Sequence, residues 1–409
     1  MAEEVDPVSL GDQTILRYKI WKKNSPYLYD YFQSKSLLWP SLSVEFLPDI
    51  ERNDEDEFDY QRLIFGTFTS GASNEFLNFG MFSRHNEVSL RESLRNSLDN
   101  FDSVKGEISP LVLPSSKDSK NSNRSCEKLS IIQRIAHNGE VNKCKYLPQN
   151  PDIIATINNY GSVSIFDRTK HPSQPLSGTI KPDIYCTYHK DEGSCLSWNP
   201  SVEGELLSGS MDGTVVLWDI KKYTRDKDSL DPYKIFIAHD NGCNDLKFIP
   251  RHTSIFGSVG EDGFFKLWDT RQGLDPVKST RLHQTGINSL SFSDQVPFTL
   301  ATGDAEGQIK LLDLRNLENT IQDIKAHEES ISTLEWNPHN SLLGSCSMDK
   351  TVKIWDFGDN EQPLKFTHGG HMFGVNDISW NPWDETMISS VGEDNSLHIW
   401  KPSKSIIGV

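Results

Sequence analysis

The sequence has no run of apolar residues long enough to cross a bilayer as a helix. Cysteine is scarce: six in 409 residues, at positions 126, 144, 186, 195, 243 and 346, never as Cys-x-x-Cys. That is too sparse for a disulfide scaffold and wrongly spaced for zinc, so reduced thiols in a cytosolic or nuclear protein are expected. The first ten residues carry Glu3, Glu4 and Asp6 where a signal peptide would place basic and then apolar residues. Basic charge is in deficit too, 41 Lys+Arg against 58 Asp+Glu, a net of −17. Such a chain repels phosphate backbones and anionic lipid, so direct DNA or membrane binding is not expected and basic partners are. Also missing are the phosphate-loop, dinucleotide, zinc-protease and nucleophile-elbow motifs. No acid pair stands out for proton transfer, so neither enzymatic activity nor a cofactor or metal is expected.

What the chain has instead is repetition. His137 and Phe166, His189 and Trp218, His239 and Trp268, His283 and Leu312, and His371 and Trp400 each stand 29 residues apart. His327 and Trp355 stand 28 apart. Six residues before the closing position lies an acid: Asp212, Asp262, Asp349 and Asp394, with Glu306 taking that place before Leu312 and Tyr160 before Phe166. Between these marks run short β-rich segments such as residues 194–198, 204–210 and 214–218, separated by Asn199-Pro200 and Asp212-Gly213. Units of ~40–45 residues closing on Trp-Asp resemble the WD40 repeat, which supplies four strands to a propeller blade. In that family the His, turn Asp and strand Trp share a buried hydrogen-bond network. His189, Asp212 and Trp218, His239, Asp262 and Trp268, and His327, Asp349 and Trp355 are thus expected to be structural.

Six units begin at His137, His189, His239, His283, His327 and His371. A degenerate seventh is read from residues 39–48, 62–69, 76–82 and 129–135. The expected fold class is all-β, a seven-bladed WD40 propeller with an N-terminal α-helix. Residues 1–35 form the helical segment, 36–402 the propeller and 403–409 a tail. Residues near 37–39 are expected to complete the last blade. Leu16 and Ile20, Tyr27 and Tyr31, and Leu28 and Phe32 follow i, i+4 spacing, and Ser25-Pro26 is a helix-start signal. A helix of about three turns and a second helical segment after Pro26 are therefore expected. Residues 84–127, rich in Ser, Asn and Lys, read as a mobile insertion. The acidic run 51–59 reads as an exposed loop.

Several phrases lie outside the generic repeat: residues 21–30 (Trp-Lys-Lys-Asn-Ser-Pro-Tyr-Leu-Tyr-Asp), 39–42, 146–155, 166–171, 255–259 and 367–371. In these the chain resembles the retinoblastoma-associated histone-binding proteins. The resemblance implies two histone sites. The first is a side groove for the first helix of histone H4. It would use Tyr27, Leu28, Tyr31 and Phe32, Asp359 and Glu361 in the sixth-blade loop 357–364, and Ile406 and Ile407 in the tail. That loop is shorter than in many relatives. The second is the top face, taking the histone H3 tail through Glu140, Asn142, Glu192, Glu261 and Glu393. Asn244, Ser330 and Ser332 stand where relatives often carry acidic or aromatic residues. Implied partners are histones H3 and H4 and the larger subunits of chromatin assembly factor 1, with a type B histone acetyltransferase as the alternative, in the nucleus with a cytoplasmic pool. The short loop and residues 374–380 and 398–402 are most similar to the fungal small subunit of chromatin assembly factor 1. A rival from another class rests on Trp268-Asp-Thr-Arg271 and Leu312-Asp-Leu-Arg315, which are similar to the pattern that docks propellers on cullin ubiquitin ligases. The alternative there is that both arginines pair locally with acids.

Overall fold

Short β-rich segments cut by tight turns leave each sheet room for four strands. In the computed structural model, which describes residues 10–52, 58–85, 101–102, 107–108, 129–175, 180–359 and 361–407, seven antiparallel four-stranded sheets stand in a ring. Blade 3 shows the pattern: Gly193–Trp198 innermost, then Glu205–Ser210, Thr214–Asp219 and, outermost, Lys234–Ile237. Its turn at Gly213 has φ +80°, and a Cβ there would meet the His239 carbonyl oxygen at 2.0 Å, so only glycine fits. The innermost strands of the seven blades begin at Val44, Val141, Gly193, Cys243, Ile287, Ile331 and Val375, and the last packs against the first. Of the expected insertion 84–127, residues 84–85 end a strand of blade 1 and the rest lies outside the described residues apart from a pairing of Phe101–Asp102 with Glu107–Ile108. So do residues 53–57 of the acidic run.

Two sets of hydrogen bonds join neighbouring inner strands around the ring. Near the top, Asn142 Nδ2 donates to Gly193 O (2.9 Å), Asn244 Nδ2 to Ile287 O (3.1 Å), Asn288 Nδ2 to Ile331 O (2.9 Å) and Asn376 Nδ2 to Ser41 O (3.0 Å). Lower down, side-chain oxygens accept from the neighbour's backbone: Asp377 from Val44 N, Ser197 from Phe248 N, Asp245 from Leu290 N, and Ser289 from Leu334 N. Between blades lie apolar layers, with Trp218, Trp268, Trp400, Phe46 and Phe166 fully buried. Each such side chain contributes roughly 1.5–3 kcal/mol by leaving water.

The ring closes differently from the sequence expectation. The outer strand of blade 7 is Tyr29–Ser36, paired antiparallel with Ser396–Pro402 so that Phe32 lies opposite Trp400. The strand expected near residues 37–39 is therefore displaced towards the N-terminus. The second helical segment after Pro26 does not form, and part of the 1–35 unit belongs to the propeller. A backbone ladder and aromatic burial outweigh the weak i, i+4 periodicity of four residues. A single helix, α1 (Leu10–Leu28), runs through Pro26. Proline cannot donate to the Lys22 carbonyl one turn back, but the Ser25 hydroxyl does so at 3.0 Å.

The repeat marks meet as a chain of one proton per link. Trp268 Nε1 donates to Ser258 Oγ (2.9 Å), Ser258 to His239 Nε2 (2.9 Å), and His239 Nδ1 to the Asp262 carboxylate (3.0 Å). Trp355, Ser345, His327 and Asp349 repeat it at 2.8, 2.7 and 2.8 Å. In blade 3, Trp218 and His189 share Ser208, while Asp212 stands 3.8 Å from His189 and reaches it through Thr214. One expectation is corrected in blade 5. The partner of His283 is Asp304 (2.9 Å), not Glu306, because Asp304 ends the second strand and also accepts from Glu306 N and Gln308 N. The serines carry no mark in the sequence reading, although each stands 10 residues before its Trp. Ser258→Ala would strand two buried donor–acceptor groups. Urea unfolding should show a loss of about 1–3 kcal/mol with the m-value unchanged.

Candidate functional site

Helix α1 lies on the outside of blades 6 and 7, fixed at both ends. Near the top, Arg17 Nη1 donates to Asp349 O (3.2 Å) and Lys350 Nζ to Thr14 Oγ1 (2.9 Å). At the bottom, Leu28 O accepts from Ser403 N (2.9 Å). Midway, Trp21 is buried and its Nε1 donates to Tyr29 Oη (2.8 Å). Tyr29 has one proton, so it donates to His368 Nδ1 (2.6 Å), and His368 Nε2 then donates to His398 Nδ1 (3.1 Å). Burial holds both imidazoles well below the usual histidine range and pushes the Tyr29 phenol up. His368, His371 and His398 place ring nitrogens within 4.8 Å of one another. His371 already uses Nε2 on Ser390 and Nδ1 on Ser396 and Asp394, so the cluster has no third free ligand and acts as a hydrogen-bonded chain.

Below Trp21 the residues expected in the side groove divide. Tyr27 is 81% exposed at the helix end, and Leu28 is half-buried against the blade. Tyr31 and Phe32 are not on the helix. Tyr31 sits on the closing strand with its hydroxyl donating to Gln33 Oε1 (2.8 Å), and Phe32 packs on Trp21, Tyr29 and His398. Both are packing residues of blade 7, since a strand sends alternate side chains to opposite faces. The tail forms a single turn, α2 (Lys404–Ile407), whose Lys404 N–H bonds Asp30 Oδ2 (3.1 Å). Ile407 is buried on the outer strand of blade 6, while Ile406 is 39% exposed. In the loop, Asp359 accepts from Glu361 N and Gln362 N and pairs with Lys365 (2.6 Å), so its charge is already offset. Glu361 is exposed. Sequence reasoning placed no binding role on Leu16 and Ile20, yet they are 55% and 54% exposed and share one helix face with Tyr27.

On the top face the structure brings together Glu140, Asn142 and Glu192 at the seam of blades 2 and 3. Asn142 Nδ2 donates to Glu192 Oε1 (2.7 Å) as well as to Gly193 O. Glu140 is raised above the usual carboxyl range by desolvation and by Glu75 and Glu192 nearby. Glu261 lies at the next seam but one, held by Asn244 (2.9 Å), and Glu393 stands in the top turn of blade 7. Asn142 and Asn244 thus also hold the ring together. On the underside, Arg271 clasps Asp269 (3.0 and 2.8 Å) and Arg315 clasps Asp313 (2.9 and 2.6 Å). Each arginine of the rival ligase pattern pairs with its own acid, the local alternative.

Residues 185–219, 230–269, 274–313, 318–356 and 362–401 match the WD domain, G-beta repeat. Each span opens at or near the outer strand of one blade and ends on the third strand of the next, the offset that makes a ring close with a borrowed strand. The protein is therefore a WD-repeat propeller. Residues 17–83, which hold most of α1, the closing strand and three strands of blade 1, match the family of histone-binding protein RBBP4 and of the C component of the CAF1 complex. The chain belongs to this WD40 family of histone-binding proteins, and its role is that of a histone-binding scaffold.

The buried histidines set a pH dependence. His239, His327, His368 and His398 are all held below the ordinary value by burial. The unfolded chain then binds more protons than the folded one once pH drops below about 6.5. Their contribution is complete above that value and is lost as pH falls towards the folded-state values. The melting temperature followed by near-ultraviolet circular dichroism should drop between about pH 7 and pH 5. A flat profile would contradict the neutral hydrogen-bonded chain.

Proposed function

We infer that the chain is a non-catalytic subunit that holds histones H3 and H4 for nucleosome assembly, working in the nucleus as the small subunit of chromatin assembly factor 1. The observation that carries the reading is the solvent-facing apolar stripe of α1, Leu16, Ile20 and Tyr27, continued by Ile406 in the turn whose Ser403 N–H bonds Leu28 O, with Glu361 exposed in the loop before the outer strand of blade 6. An amphipathic helix fits such a surface, burying apolar anchors while its Lys and Arg meet the acids at the rim. The first helix of histone H4 is the occupant this surface suits in a histone-binding family. The pair Glu140 and Glu192, with Glu261 and Glu393 further round the mouth, supports a second, weaker contact with the basic H3 tail. The type B histone acetyltransferase uses the same histones, so co-purification from the native cells decides between the two assemblies.

The groove is tested at its exposed positions. Leu28 and Ile407 pack inward, and charging them would disturb the blade itself. Tyr27→Asp with Ile406→Asp should weaken an H4 first-helix peptide by at least about tenfold in calorimetry while leaving the melting temperature in place. Unchanged affinity would reject the groove. Binding of the wild-type chain should also weaken as salt rises, since rim charge pairs are screened.

A further inference from the structure

Blade 2 is built short. Its outer strand, Ile184–Cys186, has three residues, against four to ten in the other blades. It covers only Val163–Ile165 of the third strand. Beyond it the Asp167 N–H is satisfied by the Asp183 carboxylate (2.7 Å) instead of by a strand. Among the described residues no strand covers the rest of that third strand, and a groove of about 1210 Å³ lies there. One wall is the outer strand of blade 1 at Arg134, tied to the loop of blade 2 through Ser173 O (3.0 Å). The other wall is the segment after the third strand of blade 3, with Ile220, Tyr223 and Arg225. The floor is apolar and half-buried, with Ile153, Ile184 and Ile220 packed on the core from one side only. Ile180 stands 50% exposed at the lip.

The groove inverts the charge of the molecule. Five lysines and arginines line it against three aspartates, in a chain whose net charge is −17. Two of the aspartates are engaged: Asp167 with Lys170 (2.9 Å) and the Thr169 N–H, and Asp183 with the Asp167 N–H and His171 (3.1 Å). Among the described residues Arg134, Lys181 and Arg225 have no carboxylate within salt-bridge reach. Unpaired cations around a half-covered apolar floor favour an anionic ligand that also carries apolar side chains, and disfavour the basic histones. We propose that this groove on blades 1 to 3 docks an acidic, extended segment of a partner protein whose Leu or Phe side chains rest on the isoleucine floor. The segment is extended because the groove lies along the part of the third strand that no described strand covers. This surface lies on a different set of blades from α1, so a partner held here leaves the helix face free.

The test uses the intact chain and fluorescence anisotropy. The probe is a labelled peptide alternating Glu with Leu and Phe; the controls are the same peptide with Lys for Glu, and a DNA duplex. The acidic peptide should bind, more weakly at higher salt. Arg134→Glu, Lys181→Glu and Arg225→Glu together should reduce its affinity at least about tenfold. Ile180→Asp should reduce it separately. Binding of an H4 first-helix peptide or, if that fails, an unchanged melting temperature shows that the triple variant is folded, so this proposal and the histone reading fail independently. The proposal is overturned if the acidic peptide does not bind, if the triple variant binds it equally, or if the lysine peptide does as well. Displacement of the peptide by DNA at comparable affinity would also overturn it, because the cations would then serve a phosphate backbone.

Discussion

The ring is closed by eight residues from the opposite end of the chain. Blade 7 has three strands of its own, and Tyr29–Ser36 supplies the fourth. Without this strand blade 7 would present the bare edge of its third strand and leave the apolar face that Tyr29 and Phe32 cover open to water. It also decides where α1 goes. The helix ends at Leu28, one residue before the strand begins, and so must lie against blades 6 and 7. Trp21, Tyr29, His368 and His398 then form a single hydrogen-bonded line from the helix to the third strand of blade 7. The candidate histone groove follows from closure: its helix, its C-terminal turn and its loop are neighbours because two chain ends meet there.

The repeats are legible because their chemistry is strict. A neutral histidine buried between a tryptophan, a serine and an aspartate must stand at fixed offsets, and the offsets survive in the sequence. The serine is as regular as the tryptophan but is common in turns, and it carries no warning of its role. Glu306 misleads for a local reason: an acid at the expected offset draws attention from Asp304, which is shorter and better placed to serve both His283 and the turn. The N-terminal segment misleads for a tertiary reason. Tyr27, Leu28, Tyr31 and Phe32 do repeat at helical spacing, but the ladder to Ser396–Pro402 claims the last two. No local pattern announces a partner strand more than 360 residues away. The resemblance to the family points to Tyr27 and Ile406 as well as Leu28 and Ile407, and only burial separates those that face solvent from those that anchor.

The inner strands show why an acidic chain keeps lysines at its centre. Asp377, Glu45, Asp245 and Glu335 accept backbone N–H groups of the next blade, at Val44, Tyr146, Leu290 and Trp380. A carboxylate is a stronger acceptor than a serine hydroxyl, but four of them around one channel repel each other. Lys143 pairs with Asp377 and Lys145 with Glu45, each at 2.9 Å, and Lys247 reaches the Leu334 carbonyl (3.1 Å). Three ammonium groups for four carboxylates leave one acid without a full counter-charge. That acid is Glu335, which burial pushes up to about 7 against the pull of Lys145 and Lys247. Replacing one of these lysines by a neutral residue would strand a buried carboxylate, a larger cost than the loss of a surface ion pair. The acids of the mouth have room for basic ligands, whereas those of the channel are already used to hold blade to blade.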